Sequence, residues 1–140
     1  MTEKMLEITD LKTYFRSDNG FVRAVDGVTI TVNKGETVGI VGESGCGKSV
    51  TSLSVMRLLH DTPGEIVGGS IKFEENSLLD LSEKEMRQIR GKEISLVFQD
   101  PMTSLNPVFT IEKQMVETIR AHEKVSKKQA FERSLDLLHL

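Results

Sequence analysis

Between residues 5 and 32 apolar and polar positions alternate, and many of the apolar ones are β-branched. "MLEIT", "LKTYF" and "FVRAVDGVTITV" each predict a short strand. "SDNG", Ser17 to Gly20, has turn chemistry and separates two of them. "NKGE", Asn33 to Glu36, marks a second turn. After it the alternation stops. "TVGIVG" is an unbroken apolar run of the kind found in a strand buried on both faces, and "ISLVF", Ile94 to Phe98, is a second.

Elsewhere the period is helical. From Lys48 to about His60, the residues Val50, Leu53, Met56 and Leu59, with the neighbouring Leu58, fall on one broad face. "TPGE", Thr62 to Glu65, breaks that helix, and "GSIKFE" predicts a strand. "SEKE", Ser82 to Glu85, is a capping box opening a short helix with Met86 and Ile89 inward. Ile111, Met115, Val116 and Ile119 pattern another helix. "SKKQ", Ser126 to Gln129, caps the last one, whose apolar side is Phe131, Leu135 and Leu138. "LDLLHL" reaches Leu140 in mid-pattern, with neither a glycine cap nor a polar tail. The helix is expected to continue, and the chain to be the N-terminal part of something longer.

Composition narrows the function classes. The chain has 140 residues, 38% hydrophobic and 28% charged, which suits one soluble globular domain and leaves no room for two. The net charge of -3 offers no basic surplus for a nucleic-acid surface. The locally basic "KEMRQIRGK", Lys84 to Lys92, reads as a solvated helix face. The single cysteine, Cys46, excludes an intramolecular disulfide. No apolar stretch approaches the ~18 residues needed to span a bilayer, and "MTEKMLEITD" lacks the apolar core of a signal peptide.

The candidate chemistry lies where the first apolar run meets the first helix. "GESGCGKS", Gly42 to Ser49, fits G-x-x-x-x-G-K-[ST], the form of loop that cradles the phosphates of a nucleoside triphosphate. Gly42, Gly45 and Gly47 allow backbone angles and close approach that a Cβ would block. Successive N–H groups, those of Glu43, Ser44 and Cys46 included, then bind phosphate oxygens, and the helix N-terminus adds partial positive charge. Lys48 is expected to reach the β- and γ-phosphates and Ser49 to ligate Mg²⁺. Cys46 is small enough to leave the loop's N–H groups free.

The phosphate loop alone does not say what the triphosphate is for. "DTPG", Asp61 to Gly64, matches the D-x-x-G of GTPase switches, but it follows the first helix directly, whereas that motif should follow a later strand. A small-molecule kinase stays open. "ISLVFQDPMTSLNP" decides more. A buried strand delivers Gln99 at its C-terminal end, where parallel α/β sheets gather ligand groups. A neutral amide facing the γ-phosphate there can ligate Mg²⁺ and orient a water.

Here the sequence resembles the ATPase subunits of ABC transporters. "GESGCGKS" is similar to their Walker A loop and "VFQDPMTSLNP" to their Q-loop. The longer stretches "AVDGVTITVNKGETVGIVGESGCGKSVTSLSVMRLL" and "VFQDPMTSLNPVFTI" resemble the oligopeptide/dipeptide importer subfamily, and the likeness covers essentially all 140 residues. The resemblance implies an α/β fold: a P-loop NTPase core with an N-terminal antiparallel β subdomain, the start of a helical subdomain, and an incomplete sheet. Residues 1–140 would be the N-terminal part of one ABC ATPase domain, with the antiparallel β region at about 1–35, the P-loop core at 36–99 and the helical subdomain starting at 100–140. It implies that Phe15, in preference to Tyr14, stacks on adenine, and that Gln99 couples the site to a membrane partner through Asp100 to Pro107. ATP and Mg²⁺ would be the cofactors.

The partners implied are a second ABC ATPase subunit, transmembrane permease subunits and, indirectly, an extracytoplasmic peptide-binding protein, with no nucleic acid. The place implied is the cytoplasmic face of the cell membrane, peripherally. The expected function is Mg-ATP binding by an importer ATPase that energises peptide uptake. The alternatives are another solute such as nickel or glutathione, or a nucleotide-binding module that does not hydrolyse. The family's signature motif, Walker B strand with its catalytic glutamate, and switch histidine fall outside these 140 residues. Hydrolysis is therefore expected of a full-length parent and not of this stretch alone.

Overall fold

The computed structural model describes residues 3–59, 62–98 and 105–139. The chain divides into two compact units, Met1–Arg90 and Gly91–Leu140.

In the first unit, β1 (Lys4–Ser17) and β2 (Gly20–Asn33) form an antiparallel hairpin. Ser17 pairs with Gly20 across the two-residue tip Asp18–Asn19, as "SDNG" predicts. The strands expected separately from "MLEIT" and "LKTYF" are one. They join through a bulge at Asp10, which takes φ 47°, and the pairing register shifts between Ile8 and Leu11. The extra residue lets Ile8 and Leu11 both be buried although they are three apart. Asp10 N–H donates to Thr29 Oγ1 at 3.0 Å. Gly69, at φ 87°, makes room for the Asp10 carbonyl, which a Cβ there would strike.

β3 (Gly64–Phe73) pairs with the other edge of β1, and the short β4 (Asn76–Ser77) completes an antiparallel sheet in the order β2-β1-β3-β4. Helices α1 (Lys48–Val55) and α2 (Glu83–Ile89) belong to the same unit. Leu11, Ile71, Leu78 and Met86 are wholly buried. Each contributes about 1.5–3 kcal/mol by leaving water.

The first helix is shorter than its periodicity predicts, ending at Val55 and not near His60, which itself lies outside the described residues. A left-handed residue stops it. Arg57 has φ 51°, Leu58 N–H donates to Leu53 O at 2.9 Å and Arg57 N–H to Ser54 O at 3.0 Å. That is a Schellman closure built on a residue other than glycine. Two arginines hold it. The Arg57 guanidinium donates to the carbonyls of Leu78 and Leu81. Arg90 donates to Met56 O at 2.7 Å and Arg57 O at 3.1 Å, and pairs with Glu83. Of the predicted stripe, Met56 and Leu59 are buried, just past the end of α1, but the rest differs. Thr51, Ser54, Val55, Met56 and Leu59 are buried, whereas Val50, Leu53 and Leu58 are half-buried.

The two apolar runs depart most from expectation. Residues 37–41 and 95–98 join no ladder among the described residues. Val38, Ile40 and Val41 are 40%, 47% and 96% exposed, and Val97 and Phe98 are 93% and 46% exposed. A run of this composition becomes a buried strand only when neighbouring strands satisfy its backbone and helices cover both faces.

The second unit contains α3 (Ile111–His122) and α4 (Lys127–Leu138), capped by Thr110 and by the Ser126–Gln129 capping box. Val116 is buried on α3 as expected. On α4 the stripe predicted to be inward is largely exposed, with Phe131 at 36%, Leu135 at 41% and Leu138 at 63%. The small residues Ala130 and Ser134, one turn apart, take the buried stripe instead, and Ser134 Oγ donates to Ala130 O at 2.6 Å. No helix among the described residues is long and apolar enough to cross a membrane.

Candidate functional site

The stretch Gly42 to Ser49 leads from the apolar run 37–41 into the first turn of α1. Gly47 is the N-cap, buried and at φ 92°. A Cβ on it would collide with the carbonyl oxygen of Ala24. That carbonyl is delivered by an irregularity of β2: Thr13 pairs with Val25 and Tyr14 with Arg23, so Ala24 is the extra residue. The bulge therefore fixes where the helix begins. Thr51 Oγ1 donates to Gly47 O at 2.9 Å and holds the first turn from inside. Gly45, at φ 81°, supplies the second left-handed turn of the loop.

The loop is rich in unused donors. Among the described residues, the backbone N–H groups of Ser44, Gly45, Gly47, Lys48, Ser49 and Val50 have no hydrogen-bond acceptor. The Cys46 N–H makes only a long turn bond of 3.4 Å to Glu43 O. Lys48 Nζ donates to Gly42 O at 2.8 Å and Glu43 O at 2.6 Å, and it lies 3.4 Å from Cys46 Sγ. No carboxylate pairs with it among the described residues. A full positive charge and a row of orphan N–H groups at a helix start make a site for a polyanion. Phosphate oxygens would take the place of the two carbonyls that now accept from Lys48. Cys46 is exposed. Its Sγ stands 2.6 Å from where a Cβ on Gly42 would be, so Gly42 is what admits it. Glu43, Ser44 and Ser49 are exposed, and the Ser49 hydroxyl makes no hydrogen bond among the described residues.

Phe15 and Tyr14 separate by strand alternation. Phe15 shares the face of β1 that carries the buried Thr13, against α1. Its ring covers Gly64 on β3, where a Cβ would come within 2.7 Å of it. Tyr14 lies on the opposite face. Its hydroxyl donates to Asp26 Oδ1 at 2.8 Å and the Arg23 guanidinium stands 5.6 Å from its ring centre. That bond to Asp26 raises the Tyr14 hydroxyl above its ordinary pKa and, seen from the other side, holds Asp26 below the usual carboxylate range. Gln99 and the segment from Asp100 to Ser104 lie outside the described residues.

Sequence reasoning missed the hydroxyl-lined side of α1. Thr13 Oγ1 and Ser54 Oγ are 2.9 Å apart and fully buried. The signal was present in "KSVTSLSV", where Thr51 and Ser54 stand at helical spacing, but apolar periodicity selects their neighbours.

The ABC transporter family profile matches residues 25–140. The chain belongs to the ABC transporter family. Membership implies nucleotide binding. Among curated relatives, it is 50% identical over 137 residues to the oligopeptide transport ATP-binding protein OppD of Bacillus subtilis, covering 98% of this chain and 38% of that protein. It is 49% identical over 138 residues to the dipeptide transport ATP-binding protein DppD of the same organism, covering 99% and 41%. A probable peptide ABC transporter ATP-binding protein, y4tR of Sinorhizobium fredii, is 48% identical over 136 residues, covering 97% and 41%. The chain thus spans about two fifths of the length of these relatives. Among solved structures, the ATP-binding cassette MJ0796 in a dimeric post-hydrolysis state bound to ADP and Pi superposes with a TM-score of 0.78 at 22% identity, over 96% of this chain and 56% of that one. The ABC cassette fold is shared.

Proposed function

We propose that this ABC-family chain binds Mg-ATP at Gly42–Ser49 within an importer ATPase that energises uptake of peptides. The observation that carries the site is the loop running into α1: among the described residues, six backbone N–H groups without an acceptor around a Lys48 that no carboxylate pairs with, with Gly47 seated against the Ala24 carbonyl. The curated relatives named above, all described as peptide transport proteins, support the choice of peptide.

The loop's N–H groups would hold the β-phosphate and Lys48 would bridge the β- and γ-phosphates. Phe15 would bear the adenine. The Ser49 hydroxyl fits one oxygen position of a hard cation that takes most of its other ligands from phosphate and water. Gln99 is proposed as a further ligand and as the group that orients the water. Mg²⁺, when bound, would neutralise charge developing on the phosphates. Hydrolysis in the full-length protein would be in-line attack of water on the γ-phosphate, driven by positioning and charge stabilisation. A second ATPase subunit and a membrane permease are proposed as partners, at the cytoplasmic face of the membrane.

Lys48→Ala tests the assignment. It removes charge-assisted bonds to phosphate worth roughly 1.5–3 kcal/mol each, or about ten- to a hundredfold in ATP affinity. AMP, lacking the β- and γ-phosphates, should bind almost unchanged. Equal losses for ATP and AMP in a calorimetric titration would overturn the role given to Lys48.

A further inference from the structure

The two ends of the proposed nucleotide site stand on different elements. Phe15 is on β1, and the phosphate loop runs into α1. A pair of buried hydroxyls links the two elements. Thr13 is two residues from Phe15 on the same face of β1, and its Oγ1 is 2.9 Å from Ser54 Oγ on α1. Both residues are fully shielded from water. Their proton order follows from counting. Ser54 Oγ donates its one proton to Val50 O at 2.7 Å. Its lone pair must then accept from Thr13, whose hydroxyl has no other partner among the described residues. The bond is thus directional, from strand to helix.

We infer that Thr13 and Ser54 are positioning residues for the nucleotide. Their hydrogen bond holds the base platform of β1 at a fixed distance from the phosphate cradle of α1. The inference rests on the proposed nucleotide site and on Phe15 as its base-stacking residue. Apolar packing against α1 resists separation of the two elements but tolerates sliding, because dispersion has little directionality. A hydrogen bond weakens steeply once its angle or length is lost, so it fixes the axial and rotational setting of the helix against the strand. The same helix is pinned at its start by Gly47 against the Ala24 carbonyl. Two fixed points, one at the N-cap and one near the other end of α1, define how the cradle faces the platform. A ligand that spans both ends, such as a nucleoside triphosphate, depends on that setting. One that occupies only the cradle does not.

The test compares ATP with inorganic tripolyphosphate, both with Mg²⁺ at one ionic strength, on the full-length protein. The readout is the ratio of their affinities. Any loss of folded fraction scales both apparent affinities by the same factor, so the ratio does not respond to it. Thr13→Val keeps the shape and removes the donor. It should lower the ratio roughly three- to tenfold, the size of one buried hydrogen bond. Ser54→Ala should do the same, the double variant should do no more than either single one, and Thr13→Ser should restore the ratio. Phe15→Ala is run beside them. If it lowers the ratio while Thr13→Val and Ser54→Ala do not, the positioning inference is overturned and the base platform stands. An unchanged ratio in Phe15→Ala overturns the platform and the inference with it.

Discussion

Replacing Gly47 by alanine would set a methyl group against the carbonyl oxygen of Ala24 while holding φ at 92°. Neither neighbour can yield cheaply, because Ala24 is itself held by the pairing of Thr13 with Val25 and of Tyr14 with Arg23. A side chain forced into this region costs about 1 kcal/mol or more before any collision is counted. Gly47→Ala is therefore expected to lower the urea midpoint of the chain and to abolish detectable ATP binding, whereas Gly35→Ala, at φ 75° with open space around it, should lower stability alone. Wild-type ATP affinity in Gly47→Ala would show that the loop does not depend on this contact.

At the scale of elements, the caps are the most predictable parts and the strands the least. Ser82–Glu85 and Ser126–Gln129 are capping boxes as read, because a cap is settled by four consecutive residues. Position and glycine spacing gave the loop before α1 for the same reason. "TVGIV" and "ISLVF" misled because a strand is defined by its neighbours, which a local pattern does not contain. On α4 the apolar pattern pointed to Leu135 and Leu138, yet close helix packing selected Ala130 and Ser134. The hydroxyls of Thr13 and Ser54 escaped because polar residues are discounted in a search for core faces.

The α2 cap also titrates. Glu85 is held below the ordinary glutamate range first by the Ser82 hydroxyl and then by the Ser82 N–H, and Glu83 chiefly by its bond to Arg90. A carboxylate depressed in the folded state stabilises above its unfolded pKa, and that stability is lost as pH falls through the folded value. Glu85→Gln keeps an acceptor without the titration. Between neutral pH and about pH 3 its urea midpoint should fall less than that of the parent chain. Parallel curves would remove Glu85 from the acid transition.

For the whole molecule, the apolar surface of 37–41 and 95–98 sets the behaviour of these 140 residues on their own. Val41 and Val97 are almost entirely in water, and unpaired apolar backbone of this kind recruits other chains. Expressed alone, the 140 residues should bind a hydrophobic dye and scatter light at micromolar concentration. A monodisperse monomer with one cooperative thermal transition and no dye binding would contradict this.

The bulge at Asp10 makes β1 a device that counts odd and even. Leu11, Thr13 and Phe15 share the face of β1 on which Thr13 meets α1 only because one surplus residue precedes them; Lys12 and Tyr14 form the interleaved set. Removing a single codon there would exchange the two sets, bringing a lysine ammonium and a phenol to that face and sending the core leucine and both proposed nucleotide-site residues to the far side. No substitution along the strand alters so many positions at once, so the length of this segment is more tightly constrained than the identity of any residue in it.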